Sequence, residues 1–319
     1  MNSQKKLIVS HAPFMHIGST VSERNYNIII AALPAVLAGF AYFGVPALAV
    51  ICLAIASAIG WEWLICLVSK RPNTVGDGHA AMIGMILGML LPAPAPWWMV
   101  VTGTFLAIVI GKQIFGGIGA NPFNPAVLST AIVSIAWKNY FDFNAQLVNF
   151  NFSFNALDPL VALKSFGPEV VHNYSLGGLF LGQQIGGLGS TCGLALVIGG
   201  IYLIARGYVR WEIPLSFILG IFITATLFHM IAPEKFAEPM FHLLTGYTLI
   251  GAFFLAIEDS SSPVYQIPML LYGALGGVMT ILIRNIGSYP DGIIYAILVI
   301  NLINPLVDKI KPKAIGKVA

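Results

Sequence analysis

The stretch GGIGANPFNPAV, residues 116–127, lies between two segments that are apolar enough to sit in a lipid bilayer. It contains three glycines, two prolines and two asparagines within twelve positions. Proline removes a backbone donor and interrupts a helix, and irregular backbone at membrane depth is tolerated only where it faces protein or a polar cavity. The stretch therefore predicts a broken helix inside a membrane protein, beside a polar site.

The composition of the whole chain agrees with a membrane location. Of 319 residues, 57% are hydrophobic and 9% are charged, with a mean hydropathy of +0.84. A soluble domain carries about a quarter charged residues, so we expect the lipid bilayer as surroundings and no nucleic acid as a partner. The three cysteines, at positions 52, 66 and 192, do not have metal-ligand spacing, and we expect no metal site.

Apolar runs predict an all-α polytopic protein of about ten transmembrane helices. The predicted spans are about 27–44, 47–68, 79–92, 97–115, 123–137, 189–206, 211–230, 241–257, 266–284 and 290–307. They divide the chain into a segment 1–26, a first five-helix repeat 27–137, a loop 138–188, a second five-helix repeat 189–307 and a tail 308–319. The loop alternates aromatic and polar residues, which favours a small β-like excursion.

The lysine and arginine distribution predicts the orientation. If the N-terminus is cytoplasmic, twelve of these residues fall inside. The four outside are Lys138, Lys164, Lys235 and Arg284. This positive-inside bias predicts that both termini are cytoplasmic in a bacterial or archaeal cytoplasmic membrane, with the loop 138–188 outside.

A weak internal repeat is also present. Residues 76–96, GDGHAAMIGMILGMLLPAPAP, are similar to residues 245–263, TGYTLIGAFFLAIEDSSSP. Because each half contains five spans, an odd number, the second half enters the membrane in the opposite sense. Inverted repeats of this kind place a site at their interface, built from interrupted helices.

Several polar and glycine residues are candidates for that site. Asn121 and Asn124 follow Gly116 and Gly117, offer amide donors and acceptors, and suit a flat ligand such as a flavin or a quinone head group. The alternative, that both amides only cap a helix, is equally open at this point. Lys112 precedes this stretch and could meet a flavin edge or reach the cytoplasm. His79 lines a cavity or caps the third span.

A second glycine-rich stretch, residues 184–196, has the sequence QIGGLGSTCGLAL. Gly189, Ser190 and Thr191 are candidate cofactor contacts, and Ser190 also has the position of a helix N-cap. Neither glycine-rich stretch has the strand–turn–helix context of a nucleotide fingerprint.

Four stretches together resemble the D-type membrane subunit of the Rnf complex, an ion-translocating ferredoxin:NAD⁺ oxidoreductase. They are GGIGANPFNPAV, GGLGSTCGLALVIGGIYLIARGYVRWEIPLSF, LLTGYTLIGAFFLAIEDSSSPV and LIRNIGSYPDGIIYAILVINLINPLVD. The resemblance implies ten helices in two inverted halves, a flavin cofactor (FMN or riboflavin), and work as one part of a multi-subunit translocase beside other membrane and peripheral Rnf subunits. The B-type membrane subunit of the Na⁺-translocating NADH:quinone oxidoreductase shares this fold and is an alternative, as is a channel or secondary transporter without a redox cofactor.

The resemblance also identifies one departure and two candidate ion-path residues. In the family, a threonine in the outward-facing segment carries FMN through a phosphoester. Leu157 stands at the expected position, so we expect the flavin to be non-covalent, with Ser153 as the one local alternative nucleophile. Glu258 and Asp308 lie near the inner ends of spans and are candidates for a cation path; a boundary position without function is the alternative.

Overall fold

The computed structural model describes residues 20–148, 150, 152, 154 and 156–310. These residues form helices and connecting turns, with no strand among them. The helices are, in order, α1 (Val21–Phe43), α2 (Val45–Val68), α3 (His79–Leu90), α4 (Trp97–Phe105), α5 (Pro125–Ala136), α6 (Phe143–Gln146), α7 (Pro159–Phe166), α8 (Leu176–Leu181), α9 (Gly193–Ala205), α10 (Glu212–Ile231), α11 (Pro239–Leu244), α12 (Thr248–Ile250), α13 (Gln266–Asn285) and α14 (Ile293–Val307).

The predicted spans correspond to helical segments in this structure. Four helices, α1, α2, α10 and α13, are long and apolar enough to cross a membrane, and five shorter apolar helical segments accompany them. The remaining predicted span, 241–257, consists of α11, α12 and a π-helical segment, Gly251–Leu255. The all-helical polytopic prediction is confirmed. Helix α1 begins earlier than predicted, because the Thr20 hydroxyl caps it by accepting from the Glu23 N–H at 3.1 Å.

Two of the predicted spans, 97–115 and 241–257, contain a stretch of π-helix. Helix α4 continues as π-helix over Leu106–Gln113, which ends just before the stretch 116–127. The second π segment, Gly251–Leu255, ends three residues before Glu258. Single π turns inside α-helices are frequent at functional sites because they re-aim side chains. Phe254 of the second π segment lines an inner cavity, and so do Ile118 and Gly119 from the stretch that follows the first.

Two corresponding segments, α3 in the first half and residues 247–255 in the second, run antiparallel to each other. The start of α3 and the end of the second π segment meet in one cavity, which His79 and Glu258 both line. At the opposite end, the Tyr247 hydroxyl donates to the Leu90 carbonyl at 2.8 Å. Gly78 and Gly246 both have a positive φ, 74° and 64°, immediately before these segments. The geometry therefore has the inverted relation that the sequence repeat predicts.

Small residues allow the helices to approach closely. A Cβ on Gly199 of α9 would collide with the Ala31 carbonyl of α1, and a Cβ on Gly220 of α10 would lie 2.6 Å from the Ala274 carbonyl of α13. Helices packed through small residues gain van der Waals contact where lipid supplies no hydrophobic driving force. The contact between α1 and α9 joins the two halves.

The prediction of a β-like excursion at 138–188 is wrong for the described part of that segment. It forms the short helices α6, α7 and α8, which the side chains of Asp142, Asp158 and Ser175 cap. Its alternating aromatic residues pack against α1 and against each other: Phe152 lies 5.8 Å, ring centre to ring centre, from Phe43. Since the rings find partners on a helix, the alternation does not require a neighbouring strand.

Candidate functional site

An inner cavity of about 110 Å³ lies between the two halves, on the face that the charge distribution predicts to be cytoplasmic. Polar groups from both halves line it, among them Arg24, His79 and Asn124 from the first and Glu258 and Asp259 from the second. Arg24 forms an ion pair with Asp259. The cavity lies at the interface of the two halves, where an inverted repeat with interrupted helices predicts a site.

Asn121 and Glu258 connect the two halves beside this cavity. The Asn121 amide Nδ2 donates to Glu258 Oε1 at 3.0 Å and to the Phe123 carbonyl at 2.9 Å. The Ser260 hydroxyl and the Ser261 N–H also donate to the Glu258 carboxylate, at 2.6 and 3.0 Å. The buried Asn121 Oδ1 has no hydrogen-bond partner in the part of the chain that the structure describes. One acceptor is therefore free next to a fully bonded carboxylate.

Asn124 is the N-cap of α5. Its Oδ1 accepts from the Ala126 and Val127 N–H groups at 2.9 and 3.2 Å, while its Nδ2 donates to the Leu255 carbonyl at 2.9 Å. Pro125 occupies the first helical position, where the missing N–H costs nothing. Asn124 therefore caps a helix, as the alternative interpretation has it. Its amide also forms a hydrogen bond between the first half and the second, through the Leu255 carbonyl.

His79 faces the inner cavity from the start of α3. The His79 backbone N–H donates to Asp77 Oδ1 at 2.8 Å. Gly78, between these two residues, has a left-handed backbone conformation, and together the two features fix the turn. Within the described residues, the buried ring Nδ1 of His79 has no partner. Asn25 of α1 supports the same turn by donating to the Asp77 carbonyl at 2.9 Å. Of the sequence candidates, His79, Asn124 and Glu258 line the same cavity.

Lys112 does not line the inner cavity, nor does it reach the cytoplasm. Its ammonium donates to both oxygens of Glu62, at 2.7 and 2.8 Å, and the two side chains are 1% and 0% exposed. The Thr74 hydroxyl donates to the same carboxylate at 2.6 Å. Glu62, which lies between Trp61 and Trp63 in the sequence, is therefore the buried partner of Lys112.

The remaining glycine-rich candidates do not line the inner cavity. Gly116 and Gly117 adopt φ angles of 117° and 110° in the exposed part of the connection. Gly189 donates its N–H to the Met89 carbonyl, at the far end of α3 from His79. Ten residues of helix span about 15 Å, so Gly189 and His79 lie at opposite ends of α3.

Ser190 is not an N-cap, because α9 begins at Gly193 after Cys192. Its hydroxyl donates to the Gly187 carbonyl at 3.0 Å. The buried Thr191 hydroxyl has no partner among the residues described. Both residues belong to a tight connection that packs on the end of α3, where a Cβ on Gly187 would lie 2.8 Å from the Met89 carbonyl.

A larger cavity of about 410 Å³ opens on the opposite face. We call it the aromatic cavity, because five rings line it: Phe141, Phe143, Tyr247, Tyr289 and Tyr295. The Tyr289 and Tyr295 rings lie 4.4 Å apart, centre to centre, and the Tyr295 hydroxyl is 3.2 Å from the Ser134 hydroxyl. A pocket of this volume, with mostly apolar walls and a few polar groups, is typical of a small-molecule site.

The charges around the aromatic cavity are mostly negative. Asp142, Asp158 and Asp291 line it, against a single lysine, Lys138. Asp291 accepts from the Tyr247 N–H at 2.7 Å and from Arg284 at 3.0 Å. Burial raises the pKa of Asp158 to about 6, against the opposing effect of the two N–H groups that it caps.

Leu157 precedes the Asp158 cap at the edge of this cavity. Its side chain is half-buried and its carbonyl accepts from the Tyr174 hydroxyl at 3.0 Å. Ser153 lies outside the described residues. The described segment thus presents hydrocarbon and a carboxylate, but no hydroxyl, at residues 157 and 158.

Asp308 and Glu258 do not share a cavity. Asp308 follows α14, and its Oδ1 accepts from the Val264 N–H at 3.2 Å. It does not line the inner cavity, whereas Glu258 does. In the part of the chain that the structure describes, no group of three or more His, Cys, Asp or Glu residues has the arrangement of a metal site.

Comparison with known proteins gives one family. Residues 8–316 match the family described as NQR2, RnfD, RnfE. A protein from Cronobacter sakazakii, named as the D subunit of an "Ion-translocating oxidoreductase complex", is 32% identical over 94% of this chain and 96% of its own length. A protein from Acetobacterium woodii, named as the D subunit of a "Na(+)-translocating ferredoxin:NAD(+) oxidoreductase complex", is 35% identical over 96% of this chain and 94% of its own.

A third relative differs in the ion that its name gives. The protein from Clostridium ljungdahlii, named as the D subunit of a "Proton-translocating ferredoxin:NAD(+) oxidoreductase complex", is 33% identical over 94% of this chain and 93% of its own. The matches cover nearly the whole chain and agree with the helical fold and its broken segments. The chain belongs to the NQR2, RnfD, RnfE family.

Proposed function

We propose that this chain is the flavin-holding membrane subunit of an Rnf-type complex, which couples ferredoxin and NAD redox chemistry to the movement of Na⁺ or H⁺. Three relatives that match over nearly their full length carry names of such complexes. The chain then works as one part of a translocase, together with the other membrane and peripheral subunits, and has no activity alone.

The aromatic cavity is the observation that supports a bound flavin. Its volume of about 410 Å³ lies within the range of roughly 300–1,000 Å³ that small-molecule sites have, whereas the inner cavity, at about 110 Å³, lies below that range. Its aromatic walls suit a flat ring system. A flavin in this position supplies one- and two-electron transfer.

The residues of the cavity favour an uncharged flavin. Asp142 and Asp158 repel a phosphate, and Lys138 offsets only one of their charges, while Asp291 is paired with Arg284. Asp158 uses Oδ1 to cap α7, so Oδ2 is free to hold a proton. With a pKa of about 6, this carboxyl carries the proton for part of the time near neutral pH and can donate to a ring nitrogen or carbonyl.

The residues at positions 157 and 158 also favour non-covalent binding of the flavin. A phosphoester needs an oxygen nucleophile, and Leu157 offers hydrocarbon. An acyl phosphate on Asp158 hydrolyses readily, so that residue gives no durable link. We therefore propose riboflavin, or another flavin that acid releases, as the cofactor of this chain.

The flavin proposal is tested by the flavin content of variants in the assembled complex. Phe141→Ala removes one wall of the aromatic cavity, and Phe166→Ala removes a ring that is 69% exposed on the same segment and lines no part of it. We expect Phe141→Ala to retain much less flavin per complex than Phe166→Ala or the parent. Equal flavin content in all three would refute this location.

For ion movement, we propose that Glu258 forms the inner end of a cation path. It lies at the interface of the two halves and accepts hydrogen bonds from both. Asp308, in a separate place, is proposed as a second carboxylate near the same face. Glu258→Gln should lower ion uptake per electron transferred in vesicles, and Glu169→Gln, the same change at an exposed carboxylate that does not line the inner cavity, is the matched control. Equal coupling in both variants would contradict the role.

We also propose the orientation that the lysine and arginine distribution predicts, with both termini cytoplasmic. The loop 69–77 is then inside and the aromatic cavity outside. A single cysteine at the exposed position of Lys70 should react with a membrane-impermeant reagent only from the cytoplasmic side. Reaction in intact cells would reverse the orientation.

A further inference from the structure

Three of the four cations that the sequence predicts on the outer face gather around one cavity. Lys164, Lys235 and Arg284 line a space of about 190 Å³, together with His242 and Asn285; we call it the cationic cavity. Outer loops of membrane proteins carry few lysines and arginines. A cluster of three in this position therefore calls for a negatively charged ligand.

Residues that line this cavity also contain buried polar atoms without partners among the described residues. Arg284 is 5% exposed, and its guanidinium uses the two terminal nitrogens: one donates to the His242 carbonyl at 2.7 Å and the other to Asp291 at 3.0 Å. Its Nε, the Asn285 Nδ2 and both ring nitrogens of the fully buried His242 have no partner among the described residues. Buried polar groups are hydrogen-bonded in folded proteins. The Arg284 Nε and the Asn285 Nδ2 are donors, and a neutral imidazole adds one donor and one acceptor, so these residues favour a ligand with acceptor oxygens.

The charge balance of the cavity is positive. No carboxylate lines it within the part of the chain that the structure describes. Asp291 binds the other side of Arg284 and lines the aromatic cavity instead. The Lys164 ammonium donates to the carbonyls of Gly287 and Tyr289, which holds it at the end of α13. Among the described residues, three cationic side chains and no carboxylate thus line this cavity, which suits a phosphate group.

The surroundings of the cavity identify the source of that phosphate. Met230 and Ile231, just before the loop of Lys235, are 74% and 81% exposed, and Ile286, next to Asn285, is 71% exposed. Exposed large apolar side chains in a membrane protein face lipid tails. We propose that the cationic cavity binds the phosphate of an anionic phospholipid headgroup, whose chains lie along these side chains. A phosphate ion free in solution has the same headgroup chemistry and no such chains.

The proposal is tested on the intact complex, purified in detergent with phosphatidylglycerol, by native mass spectrometry of retained lipid. Lys235→Glu reverses an exposed charge, and Asn285→Asp places a carboxylate at an unpartnered donor with almost no change in shape. We expect each variant to lower lipid retention about tenfold, because each introduces a negative charge beside the bound phosphate. A tenfold change corresponds to about 1.4 kcal/mol of binding free energy. Lys70→Glu, an exposed charge reversal on the opposite face, should retain lipid like the parent.

The outcomes separate the lipid from a free anion. Retention that survives an excess of inorganic phosphate supports the headgroup, whereas displacement by inorganic phosphate overturns it in favour of the free anion. Retention in Lys235→Glu and Asn285→Asp equal to that of Lys70→Glu refutes the site, and so does a parent complex that binds neither phosphatidylglycerol nor phosphate, since water then satisfies the donors.

Discussion

The buried pair between Glu62 and Lys112 allows a quantitative prediction. The two side chains are 0% and 1% exposed and bond through both carboxylate oxygens at 2.7 and 2.8 Å. Removing one partner of such a pair leaves an uncompensated buried charge, which costs about 3–5 kcal/mol. We expect Lys112→Met and Glu62→Leu each to destabilise the protein by this amount. The double variant should be close to the parent, because two apolar side chains replace two charges; the exposed Thr74 hydroxyl turns to water.

The assay is a double-mutant cycle on the thermal unfolding of the detergent-purified complex, at a fixed heating rate. The control is Asp259→Asn at the exposed Arg24–Asp259 pair, where the carboxylate is 69% exposed; surface pairs contribute at most about 1 kcal/mol. A double variant as unstable as the sum of the two single variants would refute the reasoning, and so would single variants as stable as the Asp259→Asn control.

Three further outcomes follow from the structure. Asn124→Ala should destabilise the protein by roughly 1–2 kcal/mol, because it removes the cap of α5 and the bond to the Leu255 carbonyl; Asn124→Ser, measured by the same unfolding assay, should recover part of the loss. Gly246→Ala should reduce assembly much more than Gly207→Ala: both glycines have a positive φ, but a Cβ at Gly246 would lie 2.7 Å from Leu160, and one at Gly207 meets nothing within 4 Å. The pKa of Asp158 is raised from 3.8 to about 6, so the native state binds the proton more tightly; stability should fall as pH rises from 4 to 6, and Asp158→Asn, which keeps the cap, should flatten that part of the pH profile.

The sequence predicted the membrane fold well because its signals are local. Apolar runs of membrane length and proline–glycine breaks depend on neighbouring residues only, and they placed α2 and α13 within two residues of their observed ends. The same reasoning failed for residues 138–188. Alternating aromatics there pack on α1, a contact between residues about a hundred positions apart that no short pattern reports.

The candidate site could be predicted only where its signals are local. Asn124 has a local cap signature, asparagine before proline, and the structure confirms that cap. The partner of Lys112 could not be read from the sequence, since Glu62 lies fifty residues earlier and between two tryptophans. A pairing rule for intramembrane charges would have connected the two. Arg284 and Asp291, seven residues apart, are a pair that the same rule identifies.

The central claim is that this chain holds a flavin without a covalent bond, and one measurement tests it directly. The purified complex is denatured in acid, the released small molecules are identified by absorbance and mass, and the mass of this polypeptide is determined. We predict flavin in the released fraction and a polypeptide at the mass of its unmodified sequence. A mass increase of one FMN on the peptide that contains Ser153, Leu157 and Asp158 would contradict the account, and a complex without flavin attributable to this chain would contradict it as well.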